Sequence, residues 1–594
     1  MARSVPGEPK GAGGDWTVER RPASQRAPAA TGLRSEEPAT SDEGRSRRLK
    51  WRPAASGITE HWLFGLALAG AVVLRVLVML AFRPVLWFGG DSASYLATGL
   101  RLVPDPSRAG GYGFLLWVLR PLHSLALVAA VQHLMGLAMG VLVYLLARRY
   151  RLPAWAATLA AVPVLFDAYE LQLEHDIVPD TSFGLMVLIA LCLVLRPAGQ
   201  RRPARITAAG ENRGVVPPGA STVAGGNGGV VPPGASTAAG GNRGVVPPGA
   251  STAAAFLLGV SALLWPVGLV LLAVLLVALV IRRAGAVTVA AAILAGVLPV
   301  AAYAAWFDLH EHQFSLTRSD GVYLWSRTMS FADCAVIRPP ADEQVLCPPP
   351  GPRIAASLYI WDANSPLLRM PGGRFSARTN MLALRFALRA IAAQPGGYAT
   401  AVAHDFALSF YWSRPVHPDP GIVDRYQFAD AATAWVPATM GTPGGGTVAG
   451  DQAAYDGGRV HRSAPTGVVQ PFASWLVGYQ RYAYLRGTML GLILLGGLGA
   501  MAARRRAGGG GLAWAFAVTI LLVPPLIADF DLRYLVPAVP AACLAAALAL
   551  APSGQRGQRR WTTSAAATGS SAPDDTRTSS LPSESTPTAS PDSS

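Results

Sequence analysis

Long apolar runs limit the folds open to this 594-residue chain. A helix of about 20 apolar residues crosses roughly 30 Å of hydrocarbon. The chain is 51% hydrophobic and only 14% charged, a composition too apolar for a soluble multidomain protein. We therefore predict an all-α polytopic membrane protein. The apolar runs lie at 62–82, 125–147, 153–168, 181–195, 254–281, 286–306, 487–501, 512–527 and 535–551.

The run at 254–281 fits either one span or two. A break at Trp265-Pro266 would make two short helices, because proline lacks the N–H that a helix needs. The split would also keep Arg282 and Arg283 on the cytoplasmic side, in line with the positive-inside rule. We favour the split, which gives about ten spans, and the single span stays open.

Charge distribution predicts the orientation of these spans. Basic clusters alternate along the chain with acidic loops at 167–180 and 529–531, and basic loops stay in the cytoplasm. Both termini are then cytoplasmic and the acidic loops external. The Arg-, Ala-, Gly- and Pro-rich composition is typical of GC-rich bacterial genomes, so we predict a bacterial plasma membrane protein with no nucleic-acid partner. The basic clusters lie at 45–52, 148–151, 196–205, 282–283 and 504–506.

Composition shifts divide the chain further. The polar, Pro- and Ser-rich ends predict disordered cytoplasmic tails, and an imperfect repeat starting at Gly214, Gly229 and Gly244 predicts a disordered insertion. The predicted parts are a tail at 1–56, a transmembrane region at 57–305 interrupted by the insertion at 206–254, an extracytoplasmic region at 306–486, closing spans at 487–552 and a tail at 553–594.

The extracytoplasmic region carries two local signals. Cys334 and Cys347 close a short loop in an oxidising compartment, which predicts a disulfide. Apolar residues at helical spacing with interleaved arginines occupy 375–393. This helix fits two interpretations equally: it lies on the membrane surface, or it belongs to an ordinary small external domain.

Two charged residues lie where membrane spans meet the outer water. Asp91 follows the first span, and a carboxylate at a membrane edge is costly and has no packing purpose there. Arg533 opens the last span from outside, and its guanidinium fork suits a phosphate. A salt bridge from Arg533 to Asp529 or Asp531 is the structural alternative.

The second outer loop is rich in carboxylates. Asp167, Glu170 and Glu174 are spaced i, i+3, i+7, so a continuous helix would place them on one face. Such a stripe needs cations, a metal or raised pKa values to offset its repulsion, although a solvated acidic cap is the alternative. Asp91 and Glu174 are candidate ligands for a divalent cation, Mg²⁺ or Mn²⁺. Further site candidates at the tip of the loop are His175, Asp176 and Asp180.

Several short motifs together resemble the GT-C superfamily of polytopic glycosyltransferases, and are similar to protein O-mannosyltransferases and to aminoarabinose transferases of lipid A. The resemblance covers roughly residues 60–305 and 487–550. The motifs, in order, are Gly-Asp-Ser-x-x-Tyr at 90–95, Gly-Tyr-Gly-Phe-Leu at 111–115, Leu-Glu-His-x-x-x-x-Asp-Thr-x-Phe at 173–183, Leu-Leu-Trp-Pro at 263–266 and Asp-x-Arg-Tyr-x-x-Pro at 531–537.

The resemblance implies roles for particular residues. Asp91 would be the catalytic base or the anchor of a metal site, and Arg533 would lie near the donor phosphate. Glu174 and Asp180 match acidic positions of the second loop, and Tyr95 closes the first-loop motif. Many members carry a second acid directly after the first, where this chain has Ser92.

The function expected from these features is an inverting transfer of sugar on the outer side of the membrane. The donor would be a polyprenyl-phosphate sugar held among membrane lipids, and the acceptor an envelope glycan, lipid or protein. A transporter or flippase of lipid-linked saccharides is the main alternative, because Pro266 could break a transport helix. A non-catalytic scaffold for envelope assembly is a third.

Overall fold

A computed structural model of the chain describes residues 55–195, 248–431, 436–458, 466–505 and 509–552. Within these ranges the protein is mostly helical, with only short strands. The predicted tails before residue 55 and after residue 552, most of the repeat insertion and the arginines at 196–205 lie outside the described residues.

The helices follow the apolar runs and the external region in chain order. In the first part they are α1 Ala55–Ala81, α2 Gly89–Arg101, α3 Gly111–Leu119, α4 Leu125–Arg149, α5 Ala154–Phe166, α6 Ala168–Leu173, α7 Asp180–Val194, α8 Pro248–Leu264, α9 Val267–Ile281 and α10 Ala286–Glu311. In the second part they are α11 Asp320–Thr328, α12 Cys334–Ile337, α13 Leu358–Trp361, α14 Ala377–Ala393, α15 Pro395–Leu408, α16 Pro420–Asp424, α17 Val448–Tyr455, α18 Phe472–Gln480, α19 Gly487–Ala503, α20 Gly510–Ile527 and α21 Val539–Leu550. Short 3-10 turns lie at Arg120–Leu122, Gln344–Leu346, Pro366–Arg369, Leu532–Tyr534 and Val536–Ala538.

Five helical segments of the described chain are long and apolar enough to cross a membrane. Five further apolar helices, α5, α7, α8, α9 and α19, are shorter. Large apolar side chains point outward from α1 and α10, where Leu66, Val287 and Leu294 are mostly exposed, as expected of surfaces that meet lipid. These features fit an all-α membrane protein. The long segments are Glu60–Ala81, Leu125–Arg149, Ala286–Glu311, Gly510–Ile527 and Leu532–Leu550.

The ambiguous run at 254–281 forms two helices. The α8 helix ends at Leu264 and α9 begins after Pro266, which lacks an N–H to continue the helical ladder. The turn is tight, because the Gly268 N–H donates to the Trp265 carbonyl at 2.9 Å. A Cβ on Gly268 would lie only 2.5 Å from the backbone nitrogen of Ala262, so the two helices meet closely at this corner.

The predicted disordered insertion at 206–254 extends too far. Residues from Pro248 onward are helical and belong to α8. Proline is favoured in the first turn of a helix, and the alanines that follow have high helix propensity. Ser251 and Ala254 are buried, so packing also holds this end of the helix.

The prediction that Asp167, Glu170 and Glu174 share one face of a continuous helix is wrong. The chain is extended at Asp167, between the end of α5 and the start of α6. The Asp167 carboxylate accepts hydrogen bonds from the N–H groups of Tyr169 and Leu485, each at 2.8 Å. An N-cap of this kind starts a new helix, and it redirects the chain.

The first part of the predicted extracytoplasmic region has its own small core. Val322 and Trp325 of α11 pack with Leu382 and Phe386 of α14. The apolar face of α14 is thus buried in this core, which favours the interpretation of the 375–393 helix as part of a small domain. The predicted disulfide between Cys334 and Cys347 is present beside this core, with the two Cα atoms 6.1 Å apart.

Two small antiparallel ladders and one bridge join distant segments. Strand β1 (Phe82–Arg83) pairs with β4 (Gly467–Val468), and β2 (Gly441–Thr442) pairs with β3 (Gly446–Thr447). Leu86 donates its N–H to the His175 carbonyl at 3.0 Å and accepts the Ile177 N–H at 3.3 Å. The segment that leads into α2 is thus held against the turn between α6 and α7.

Candidate functional site

Asp91 lies in the first turn of α2 and contacts two arginines. Its Oδ2 atom accepts a hydrogen bond from Nη1 of Arg533 at 2.8 Å, and its Oδ1 atom forms an ion pair with Arg108. The side chain is still 31% exposed. Gly89 at the start of α2 has a φ of +55°, which suits glycine, and a Cβ there would lie 2.5 Å from Nη1 of Arg425. Ser92 accepts the Phe88 N–H at 2.7 Å, which makes it a structural residue of this loop.

Arg533 joins Asp91 to the second outer loop. Its Nε and Nη2 atoms donate to the two oxygens of Asp180 at 3.1 and 2.7 Å, while Nη1 donates to Asp91. Such a bidentate pair fixes the plane of the guanidinium. Arg533 therefore pairs with Asp180 and Asp91 instead of Asp529 or Asp531. Three residues predicted for the site, Asp91, Asp180 and Arg533, thus contact one another.

Arg108 is a site residue that the sequence reasoning missed. It follows a turn in which the Asp105 carboxylate accepts the Ser107 N–H at 2.7 Å and the Ser107 hydroxyl at 2.6 Å. The Ser94 hydroxyl also donates to Asp105, which ties the turn to α2. The Asp105-Pro106-Ser107 sequence is a turn signal, so the turn was detectable, but its contact with Asp91 was not.

Asp91, Asp180, Arg108 and Arg533 line a cavity of about 320 Å³, and a further carboxylate, Asp320 of α11, lines it as well. Tyr95, the predicted first-loop candidate, lines it too, as does Tyr323 of α11. The remaining wall is largely apolar and comes from the corner between α8 and α9 and from α7 and α20. Its apolar members include Phe183, Leu264, Trp265, Pro266, Val267, Val523, Pro524 and Ile527. The cavity thus places two arginines and three carboxylates beside an apolar wall, which suits an amphiphilic ligand.

The charges of the site set its protonation states. Burial alone would raise the pKa of Asp91, but the neighbouring Arg108 and Arg533 outweigh it and hold that pKa below its usual range. Asp91 is therefore ionised at neutral pH. Burial raises the pKa of Tyr323 to about 12, and it raises that of Tyr95 as well. Both phenols keep their protons and can donate hydrogen bonds into the cavity.

Residues of the predicted extracytoplasmic region hold the loop that carries Arg533. Asp529 accepts hydrogen bonds from the N–H and hydroxyl of Ser357, both at 3.0 Å, and contacts His417 Nε2 at 2.6 Å. The Tyr426 hydroxyl donates to Asp531. Burial raises the pKa of Asp531 to about 6. This loop is thus held by Ser357, His417 and Tyr426, which lie far from α21 in the chain.

Glu174 does not line the cavity and has different partners. Its Oε1 atom accepts from Nη2 of Arg75 at 2.5 Å, and its Oε2 atom contacts Nδ1 of His133 at 2.7 Å. Nε2 of His133 lies 3.0 Å from Nδ1 of His175, whose Nε2 lies 2.8 Å from the Phe82 carbonyl. The roles expected for Glu174 and His175 at the site are thus not supported by the geometry, because both side chains are fully buried in this network.

The order of donors in this network can be worked out. Burial lowers the pKa of His175 to about 3, so its ring is neutral. The Phe82 carbonyl can only accept, so His175 Nε2 carries the proton and Nδ1 accepts from His133 Nε2. A proton must then also lie between His133 Nδ1 and Glu174. Both oxygens of Glu174 and the four ring nitrogens of the two histidines each have a partner, which is typical of a structural network.

The residues predicted for a divalent cation do not fit one. Both oxygens of Asp91 face arginines, and those of Glu174 face Arg75 and His133. A divalent cation would have to displace Arg108 and Arg533 at Asp91, or Arg75 at Glu174. In the described part of the chain, Asp405, His417 and Asp529 do bring one ligand atom each within 4.8 Å of the others. Arg327, however, pairs with Asp405, which again opposes a cation.

Asp176, the remaining candidate, is buried between the two groups. Gln132 donates to the Asp176 carbonyl at 2.7 Å, and the carboxylate interacts electrostatically with Arg533 and Asp180. It does not line the cavity. The structure therefore assembles Asp91, Asp180, Arg533 and Tyr95 with the unpredicted Arg108.

No protein-family model, curated protein or solved structure matches the chain.

Proposed function

We propose that this protein is a GT-C-type glycosyltransferase. It would move a hexosyl or pentosyl group from a polyprenyl-phosphate donor to an envelope glycan, lipid or protein. The observation that carries the proposal is the cavity in which Asp91 meets Arg108 and Arg533 beside an apolar wall. A lipid-phosphate sugar needs cations for its phosphate, a base for the acceptor hydroxyl and an apolar path for its chain. These three requirements coincide in the cavity.

The proposed topology has about ten spans, counting the shorter apolar helices α5, α7, α8, α9 and α19 with the five long segments. The alternation of basic and acidic loops supports cytoplasmic termini and a cavity that faces outward from a bacterial plasma membrane. On this topology α11 to α18 lie outside, where an acceptor would arrive. The site would then lie at the outer interface, at the depth of a lipid phosphate.

The proposed reaction is a direct displacement at the anomeric carbon. Asp91 takes the proton of the acceptor hydroxyl as that oxygen bonds to the sugar. The bond from the anomeric carbon to the phosphate oxygen breaks, its electron pair stays on the phosphate, and Arg533 stabilises that charge. The products are an inverted glycoside and polyprenyl phosphate. Asp180 positions Arg533, and no step is assigned to a metal.

The rival function is a transporter or flippase for the same lipids. The observation that favours it is the broken helix at Trp265-Pro266, which lines the cavity, since discontinuous helices often form transport sites. The charged groups of the cavity, however, come from loops and helix ends rather than from the middle of spans. We therefore prefer the transferase.

The deciding experiment uses purified protein with radiolabelled polyprenyl-phosphate sugars and a panel of envelope acceptors. A transferase releases polyprenyl phosphate and labels an acceptor, and Asp91→Asn should remove both products. Asp342→Asn, which removes an exposed external carboxylate, is the matched control. Movement of intact donor across proteoliposomes without release of polyprenyl phosphate would support the flippase instead.

A further inference from the structure

The two oxygens of Asp91 divide between two guanidinium groups. Arg533 Nη1 donates to Oδ2 at 2.8 Å, and Arg108 pairs with Oδ1. Arg533 has a separate anchor, because its Nε and Nη2 atoms donate to Asp180. Arg108 is anchored by the Asp105 turn, with Nε 3.8 Å from the Asp105 carboxylate. Each guanidinium is thus held by a second carboxylate, Asp105 or Asp180, and each also contacts the carboxylate of Asp91.

Asp91 is less firmly held than either arginine. It is 31% exposed, whereas the side chains of Arg108 and Arg533 are 14% and 10% exposed. The carboxylate can therefore leave the two arginines without disturbing packed neighbours.

We propose that Asp91 occupies, in the resting protein, the place of the donor's phosphate, and that Arg108 is the second phosphate-binding residue beside Arg533. The inference rests on the proposed function. A phosphate entering along the apolar wall would exchange for the carboxylate between the two guanidiniums, which bind phosphate oxygens as planar forks. The shared chemistry is a phosphate group, and the apolar wall beside it selects a phosphate carried by a lipid.

The exchange would couple donor binding to the activation of the base. While Asp91 pairs with two arginines it attracts a proton poorly. When the phosphate takes over these contacts, Asp91 is released, still ionised, beside a second negative charge. Its affinity for a proton then rises when the acceptor must lose one. A base tied up in this way would also spare the resting enzyme from activating water.

Opposite effects on binding and on turnover would distinguish this arrangement from a simple catalytic base. Asp91→Asn removes the competing anion while Asp180 still holds Arg533 and Asp105 still holds Arg108, so polyprenyl phosphate should bind about tenfold tighter while transfer is lost. Arg108→Gln should weaken binding about tenfold. Asp342→Asn, with the same change in net charge as Asp91→Asn, should bind like the wild type.

The test is equilibrium binding of radiolabelled polyprenyl phosphate to each purified protein, with inorganic phosphate as a second probe and Asp91→Ser as a second variant. Unchanged or weaker binding by both Asp91 variants would overturn the proposal, as would unchanged binding by Arg108→Gln. Equal affinity for inorganic phosphate would overturn the lipid assignment. Binding needs no turnover, so if no sugar is transferred while the binding pattern holds, the proposed function fails and the phosphate exchange stands.

Discussion

Two groups of acids and bases lie close together here but differ in what surrounds them. Around Asp91, two arginines and three carboxylates line a cavity, and the carboxylate of Asp91 remains partly exposed. Around Glu174, an arginine and two histidines are fully buried and every polar atom that faces Glu174 is paired. The residue types alone would suggest the same chemistry. The difference indicates that exposure to a cavity, rather than the presence of carboxylates, marks the reactive group.

The largest expected effect separates the two groups by activity. Asp91→Asn should lower the transfer rate by about 10²- to 10⁴-fold, the usual contribution of a general base. The melting temperature in detergent should fall little, because a neutral amide fits the same half-exposed place. The measurement is polyprenyl phosphate released per folded protein, with melting of the same samples. Loss of folding in proportion to activity would place Asp91 with the structural group.

The buried group should respond in the opposite way. Glu174→Gln leaves Arg75 and the shared proton of His133 without a counter-charge, and breaking a buried pair typically costs about 3 to 5 kcal/mol. The free energy of unfolding in mixed detergent micelles should drop by this order, while the transfer rate per folded molecule stays within about threefold of the wild type. If that rate falls as far as in Asp91→Asn, Glu174 belongs to the catalytic machinery, as the sequence predicted.

A pair of glycines sharpens the comparison without touching a charge. A Cβ at Gly136 would lie 1.6 Å from Oε1 of Glu174, whereas one at Gly90 would meet nothing within 4 Å. Gly136→Ala should therefore destabilise the protein by about 1 to 3 kcal/mol, as overpacking does. Gly90→Ala should be neutral or slightly stabilising, since alanine favours the helix. Melting temperatures of the two variants test this, and equal losses would contradict it.

The smallest expected effect concerns the loop that carries Arg533. Burial would lower the pKa of His417, but its hydrogen bond with Asp529 raises it overall, and the pKa of Asp529 is lowered. The stability from the raised histidine is complete below its unfolded pKa of about 6.5 and is lost as the pH rises through the folded value. Between neutral and alkaline pH the wild type should lose up to about 1 kcal/mol that His417→Gln does not.

The measurement is the unfolding midpoint of both proteins across that pH range. Parallel curves for wild type and His417→Gln would show that the pair contributes nothing to stability. The loss at low pH has a separate origin, because the lowered pKa of Asp529 contributes stability that disappears only as the pH falls through its folded value.

Most of the helical architecture could be predicted, because span length and charge bias act locally along the chain. The break before α9 followed from Pro266. The corner at Asp167 did not, because the same carboxylate can sit on a helix face or cap the next helix, and only its contact with Leu485, far along the chain, decides. The helical start of α8 was hidden for a similar reason, since repeat composition masked its propensity.

The sequence indicated most of the residues that form the site, but not which of them contact one another. Asp91, Asp180 and Arg533 each stood out as charges at the ends of apolar runs, yet no periodicity connects residues separated by 353 positions, as Asp180 and Arg533 are. Arg108 was missed because a single arginine after a turn resembles any surface arginine. Glu174 was misjudged because its partner Arg75 lies 99 residues earlier, inside the first span.

The contacts that hold the Arg533 loop have a thermodynamic consequence. Ser357, His417 and Tyr426 hold Asp529 and Asp531, the two aspartates that precede Arg533 in the chain. Linkage is reciprocal: a molecule that binds these external residues and shifts the loop changes the affinity for the donor by some factor, and the donor changes that molecule's affinity by the same factor. The affinities for two substrates would then be coupled through three hydrogen-bonding side chains that do not line the cavity.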